Sequence, residues 1–280
     1  MKVLITGCKG QLGTELIKQL GGRGQNELIK TDMHNLDITN QKQVFELVEG
    51  NKPETIINCA AFTNVDACEA NEADAFRVNA IGAQNLSAAA YSIGSKIIQI
   101  STDYVFDGNG DVPKREYDKT NAQSVYGNSK ELGEQLVRQT NPRHFILRTA
   151  WLYGEGNNFV HTMLKLSKEK TELSVVNDQI GSPTSTVDLA RCIIDLMATE
   201  SYGTYHATCE GQCSWYDFAK RIFELKGIGI KVNPITSEEL GRPAPRPKFS
   251  VMDNFMLKLI GLNSFRHWEE ALLEYLKYNF

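Results

Sequence analysis

Lys2-Val3-Leu4-Ile5-Thr6-Gly7-Cys8-Lys9-Gly10-Gln11-Leu12-Gly13 is the stretch that decides the fold. Residues 2–6 form a short apolar run that reads as a buried strand. Three glycines follow at intervals of three, and residues 11–20 continue with apolar side chains at helical spacing. Glycines between a strand and a helix let the backbone turn tightly and approach a pyrophosphate, whose charge then faces the helix N-terminus. Such a motif also expects an acidic residue about 20 positions on, at the end of the next strand. Here residues 27–31 read as that strand and Asp32 closes it. The pattern therefore points to a dinucleotide, with Gly7, Gly10 and Gly13 shaping its site.

Outward from this turn, short β-branched runs alternate with helical stretches. Strands are expected at 2–6, 27–31, 55–58, 96–101 and 144–148, and helices at 11–20, 41–50, 73–93 and 126–139. This alternation predicts an α/β fold, a doubly wound parallel sheet of the Rossmann type, which binds ligands at the carboxyl ends of its strands. After about residue 150 the rhythm breaks. Helical pieces at 159–168, 187–197, 215–225 and 268–277 are separated by loops, and residues 241–247 are too rich in proline for a helix or central strand. The reading is a dinucleotide-binding domain over 1–150 and a smaller, less regular, mainly substrate-binding domain over 151–280. Whether the chain re-enters the first domain near 188–197 stays open.

Two further clusters carry chemistry. In Tyr126-Gly127-Asn128-Ser129-Lys130 the phenol and the ammonium are four apart and share a helix face. A free tyrosine has a pKa of about 10. A nearby cation is expected to lower it, making Tyr126 a proton donor to a carbonyl oxygen. Ser101-Thr102-Asp103-Tyr104 ends the fourth strand, where a hydroxyl faces the ligand crevice. Thr102 is placed to bond a substrate oxygen beside Tyr126. Asp103 either touches substrate or caps the turn. Arg242, Arg246 and Lys248 form either a diphosphate-binding loop or a solvated basic one. Asp32 favours NADH by accepting from ribose hydroxyls. Lys9 is placed to offset its repulsion of a 2′-phosphate, so NADPH is expected to be tolerated.

The glycine pattern, Asn58-Cys59-Ala60-Ala61, Ser101-Thr102-Asp103-Tyr104-Val105-Phe106 and Tyr126-x-x-x-Lys130 together resemble the extended short-chain dehydrogenases. Within that group the chain looks like the dTDP-4-dehydrorhamnose reductases, through Arg148-Thr149-Ala150-Trp151-Leu152-Tyr153, Gly156-Asn157-Asn158-Phe159 and the 176–184 segment. The likeness runs from residue 1 to about 190. It implies reduction of a dTDP-linked 4-keto-6-deoxy sugar by NADH or NADPH, with Thr102, Tyr126 and Lys130 as the catalytic triad. Gly10, Gln11, Leu12, Asp32, Asp37, Ile38, Ala60, Ala61 and Phe62 would line the cofactor. Thr102, Asp103 and Trp151 would meet the sugar nucleotide. From periodicity alone Trp151 reads as core, and only the resemblance turns it toward the sugar. Some members form homodimers bridged by magnesium. Glu15 matches one ligand of that bridge, but Val187, beside Asp188, stands at another, so no metal is expected.

Composition excludes other classes. A net charge of -4 does not suit a nucleic-acid binder. No signal-like start or 18-residue apolar run is present, and the six cysteines include no C-x-x-C pair, so reduced thiols and a cytoplasmic setting are expected. Two rivals share the fold: a nucleotide-sugar epimerase, which retains its cofactor through turnover, and a non-catalytic regulatory subunit. A dehydratase is disfavoured because Tyr104 stands where those enzymes resemble this chain but carry glutamate.

Overall fold

The computed structural model describes residues 1–280 except Arg23 and Gln25. Five strands come from the first half of the chain: β1 (Lys2–Thr6), β2 (Glu27–Lys30), β3 (Thr55–Asn58), β4 (Lys96–Thr102) and β5 (His144–Thr149). They form one parallel sheet in the order β2-β1-β3-β4-β5, and the strand Gly203–His206 adds in parallel beyond β5. Alternation in β1 builds the two layers. Val3 and Ile5 join Leu12, Leu16 and Leu189 in the core on one side, while Leu4 joins Val44, Val48 and Leu86 on the other. All three strand residues are fully buried, as an inner parallel strand requires. The strand order turns back at β1, which opens a crevice beyond the carboxyl ends of β1 and β3.

Most expected elements form within a residue or two of the sequence reading, and three features differ from it. The second strand stops at Lys30, one residue early, where Thr31 still donates to the Ile5 carbonyl. The helix expected over 73–93 is three pieces: Glu72–Phe76, a π-helical turn at Arg77–Gly82, and Ala83–Ser92. Buried Asn79 lies in this turn, donating to the Phe62 carbonyl and Ser129 Oγ and accepting from the Phe62 N–H. The sixth strand follows the helix Thr186–Met197, whose buried face packs with Gln11–Gly22. Later segments form small pairs, among them Glu172–Val176 beside Lys231–Ile235. All six cysteines are free thiols. Among the described residues no helix is long and apolar enough to cross a membrane.

Candidate active site

The glycine turn sits at the mouth of the β1–β3 crevice because nothing larger fits there. Gly7 has φ +61°, and a Cβ on it would lie 2.7 Å from the Ala60 nitrogen. A Cβ on Gly13 would lie 2.3 Å from the Gly7 carbonyl oxygen. The turn therefore presents bare backbone to the space outside. Asp32 braces it, accepting from the Lys9 N–H at 3.1 Å and from its neighbour Met33 at 2.9 Å. A carboxylate offers about four lone-pair sites, so Asp32 retains acceptor capacity for a ribose.

A cleft of about 1050 Å³ runs from this turn to the end of β4. Gly7, Gly10, Gln11, Leu12, Gly13, Asp32, Asp37, Ile38, Ala60, Ala61, Thr102, Asp103, Tyr126, Lys130 and Trp151 all line it. Phe62 and Arg246 do not. Phe62 is held from behind by Asn79, and Arg246 forks onto the Asp66 carboxylate at 3.1 and 3.0 Å. That bond holds the Asp66 carboxyl below the usual carboxylate range despite its partial burial. Lys9 also lines the cleft, whereas Arg242 pairs with Asp66.

Thr102 is the last residue of β4, and a short 3-10 turn follows at Asp103–Val105. The Thr102 hydroxyl donates to Asp103 Oδ1 at 2.9 Å, accepts from the Tyr104 N–H, and lies beside the Tyr126 phenol. Tyr126 and Lys130 lie one turn apart on the helix Val125–Thr140, capped by Ser124. Here the expectation for the phenol is corrected. Burial of the hydroxyl end pushes its pKa up, and the Asp103 charge adds to this, while only the Thr102 hydroxyl opposes. The Lys130 ammonium donates instead to the Ile100 carbonyl at 2.6 Å. Burial pushes Lys130 down to about 8, with Glu134 acting against it. Burial likewise raises Asp103 to about 6, opposed by the nearby Ser250 and Thr102 hydroxyls, and among the described residues its Oδ2 has no hydrogen-bond partner. Tyr104 stands edge-on to Tyr126, with ring centres 5.4 Å apart.

Two further features, the Trp151–Trp215 stack and buried Glu134, have no signal in local residue spacing. Trp151 has φ +48°, a strained value for a bulky residue. Its indole stacks on Trp215 at 3.5 Å and 6°, and both rings line the cleft. Glycine at 181 makes room, since a Cβ there would lie 2.5 Å from the Trp151 ring. Behind Thr102, Tyr126 and Lys130, Glu134 is fully buried between Ser101 and Arg148. Its place four residues after Lys130 was visible, but nothing in the sequence says which strands supply its partners. Of the residues weighed for a metal bridge, Glu15 accepts from Gln19, and buried Asp188 is forked by Arg266 at 2.9 and 2.8 Å.

The family model described as the RmlD substrate binding domain matches residues 1–279. A spore coat polysaccharide biosynthesis protein of Bacillus subtilis is 45% identical over 99% of this chain and 97% of its own. The crystal structure of a dTDP-4-dehydrorhamnose reductase from Clostridium acetobutylicum superposes with a TM-score of 0.98, at 55% identity over 99% of each chain. That of a dTDP-4-dehydrorhamnose reductase from Bacillus anthracis, in complex with NADP, superposes with a TM-score of 0.96 at 44% identity, over 99% of this chain and 98% of its own.

Proposed function

We infer the chemistry of the cleft from one premise: the chain belongs to the family described as the RmlD substrate binding domain. It is an NAD(P)H-dependent oxidoreductase that reduces the 4-keto group of dTDP-4-dehydro-β-L-rhamnose to give dTDP-β-L-rhamnose. One observation supports the reading above the rest. A single cleft joins a bare-backbone turn and a ribose-ready aspartate to a tyrosine, threonine and lysine.

The residues fit a dinucleotide, because the positions of Gly7 and Gly13 exclude any side chain from the turn. When bound, the reduced nicotinamide supplies the hydride. Gly7, Gly10, Gln11, Leu12, Gly13, Asp32, Asp37, Ile38, Ala60 and Ala61 would hold the cofactor, with Lys130 at its ribose. Tyr126 gives its proton to the 4-keto oxygen. Its raised pKa does not prevent this, since a developing alkoxide is a far stronger base than a phenolate. Thr102 fixes the phenol in position, and Asp103 and Trp151 meet the sugar. Phe62 and Arg246 act as supports, through Asn79 and Asp66. Tyr104, packed against the donor, supplies no carboxylate base, which favours reduction over dehydration.

Residues 1–150 serve the cofactor and 151–280 mainly the sugar nucleotide. A cytoplasmic setting is supported by six free thiols and a nucleotide-linked substrate. A homodimer completes the proposal on the resemblance alone, and sedimentation would test it. The deciding experiment is steady-state oxidation of NADH and NADPH with dTDP-4-dehydro-β-L-rhamnose beside UDP- and GDP-linked keto sugars. Turnover confined to the dTDP sugar is expected. Absence of turnover, or cofactor purified bound and never exchanged, would overturn the reading in favour of a regulatory subunit or an epimerase.

A further inference from the structure

Glu134 has no solvent exposure, yet it is a carboxylate that touches neither the cleft nor water. Its Oε1 accepts from Ser101 Oγ at 2.6 Å and from Arg148 Nε at 2.9 Å. Its Oε2 accepts from Arg148 Nη2 at 2.8 Å and from Arg138 at 3.2 Å. Arg148 is itself 3% exposed. Burying such a pair is costly, and apolar residues of similar size often serve stability as well or better. The location is therefore informative. Ser101 immediately precedes Thr102, Arg148 precedes the Thr149-Ala150-Trp151 wall of the cleft, and Glu134 lies one turn beyond Lys130.

We propose that Glu134 is a positioning residue for the reduction: clamped by Arg148 and Ser101, it fixes the ends of β4 and β5 against the catalytic helix and sets a buried negative charge one turn behind Lys130. The proposal rests on the reductase reading of the cleft. The charged and titratable groups around it are few. Lys130 is faced by Glu134 on its own helix and by Cys59 beyond β3. Glu134 is faced by Arg148 on β5, Arg138 on its own helix, and His206 on the edge strand. Burial favours the neutral amine and Glu134 opposes it, so removing the carboxylate lets Lys130 lose its proton at lower pH.

The test compares wild type, Glu134→Gln, and Glu134→Gln combined with Arg148→Met, which leaves no buried charge unpaired if the single variant fails to fold, since Arg138 is exposed to water. Two readouts are taken across pH 6–11, a range spanning the ordinary histidine and lysine values of about 6.5 and 10.4. One is NADPH affinity by fluorescence, which needs no sugar. The other is kcat/KM for the dTDP-linked keto sugar. Both variants should lose about 10²-fold in kcat/KM, the ordinary cost of a misplacement of about 1 Å. The alkaline limb of NADPH binding should move down by about one pH unit, as loss of one facing charge does. Folded variants with wild-type kcat/KM and an unmoved alkaline limb would overturn the proposal, leaving the pair a packing feature. If wild type fails to reduce the sugar, the reductase reading falls. The binding limb still decides whether Glu134 acts on Lys130.

Discussion

Removing only the Tyr126 hydroxyl, as Tyr126→Phe, keeps the ring against Tyr104 and deletes the acid. A positioned general acid contributes about 10²–10⁴-fold, so kcat should fall within that range while NADPH affinity stays near wild type. Retention of more than about a tenth of turnover would move the proton source to Thr102 or a bound water. Asp32→Ala tests the other end of the cleft. The ratio of kcat/KM for NADPH over NADH should rise by roughly tenfold, within what one partly screened charge contact supplies. An unchanged ratio in a folded variant would leave Asp32 only its brace on the Lys9 N–H. At this scale most of the cleft lining was readable from sequence, because it is carried by residue types at local spacing. The direction of the Tyr126 pKa was not, since its burial comes from chain segments far away in sequence, and the Lys130 ammonium is engaged by the Ile100 carbonyl.

The π-helical turn Arg77–Gly82 shows why element-level reading runs out. One extra residue per turn shifts the apolar stripe without erasing it, so residues 73–93 still read as a single helix. The insertion has a use: it brings Arg77 and Val78 to the cleft and aims Asn79 at the Phe62 backbone. Asn79→Ala should destabilise the fold by about 1–3 kcal/mol, the usual cost of stranding buried polar groups. Urea unfolding measures that loss, and a raised KM for NADPH should accompany it because Ala61 and Phe62 lose their anchor. Full stability in the alanine variant would mean that water replaces the amide. The strands were more legible, since an inner parallel strand buries both faces and leaves a continuous apolar run.

Whole-molecule behaviour depends on contacts no local pattern reveals, such as the Gly203–His206 strand closing the sheet edge. His206 is fully buried there, and burial with Arg148 nearby lowers it from 6.5 to about 3. The unfolded chain therefore takes up a proton near pH 6.5 that the folded protein refuses until about pH 3. Stability should fall with acid across that window by about 1.4 kcal/mol per pH unit. Asp103 works oppositely: raised from 3.8 to about 6, it lends stability below 3.8 that disappears as pH rises through 6. The two slopes offset each other between 3.8 and 6. Urea unfolding of Asp103→Asn should thus show a steeper acid loss than wild type there, and His206→Asn a shallower one. Parallel curves for all three proteins would refute the assignment. The Trp151–Trp215 stack has an optical consequence. Of three tryptophans, these two lie face to face at 3.5 Å in the cleft wall, while Trp268 sits apart, edge-on to Phe218. Indoles that close share their excitation, so the enzyme contains an exciton-coupled chromophore. A ligand that tilts either ring will alter its circular dichroism couplet, letting cleft occupancy be followed without any added dye.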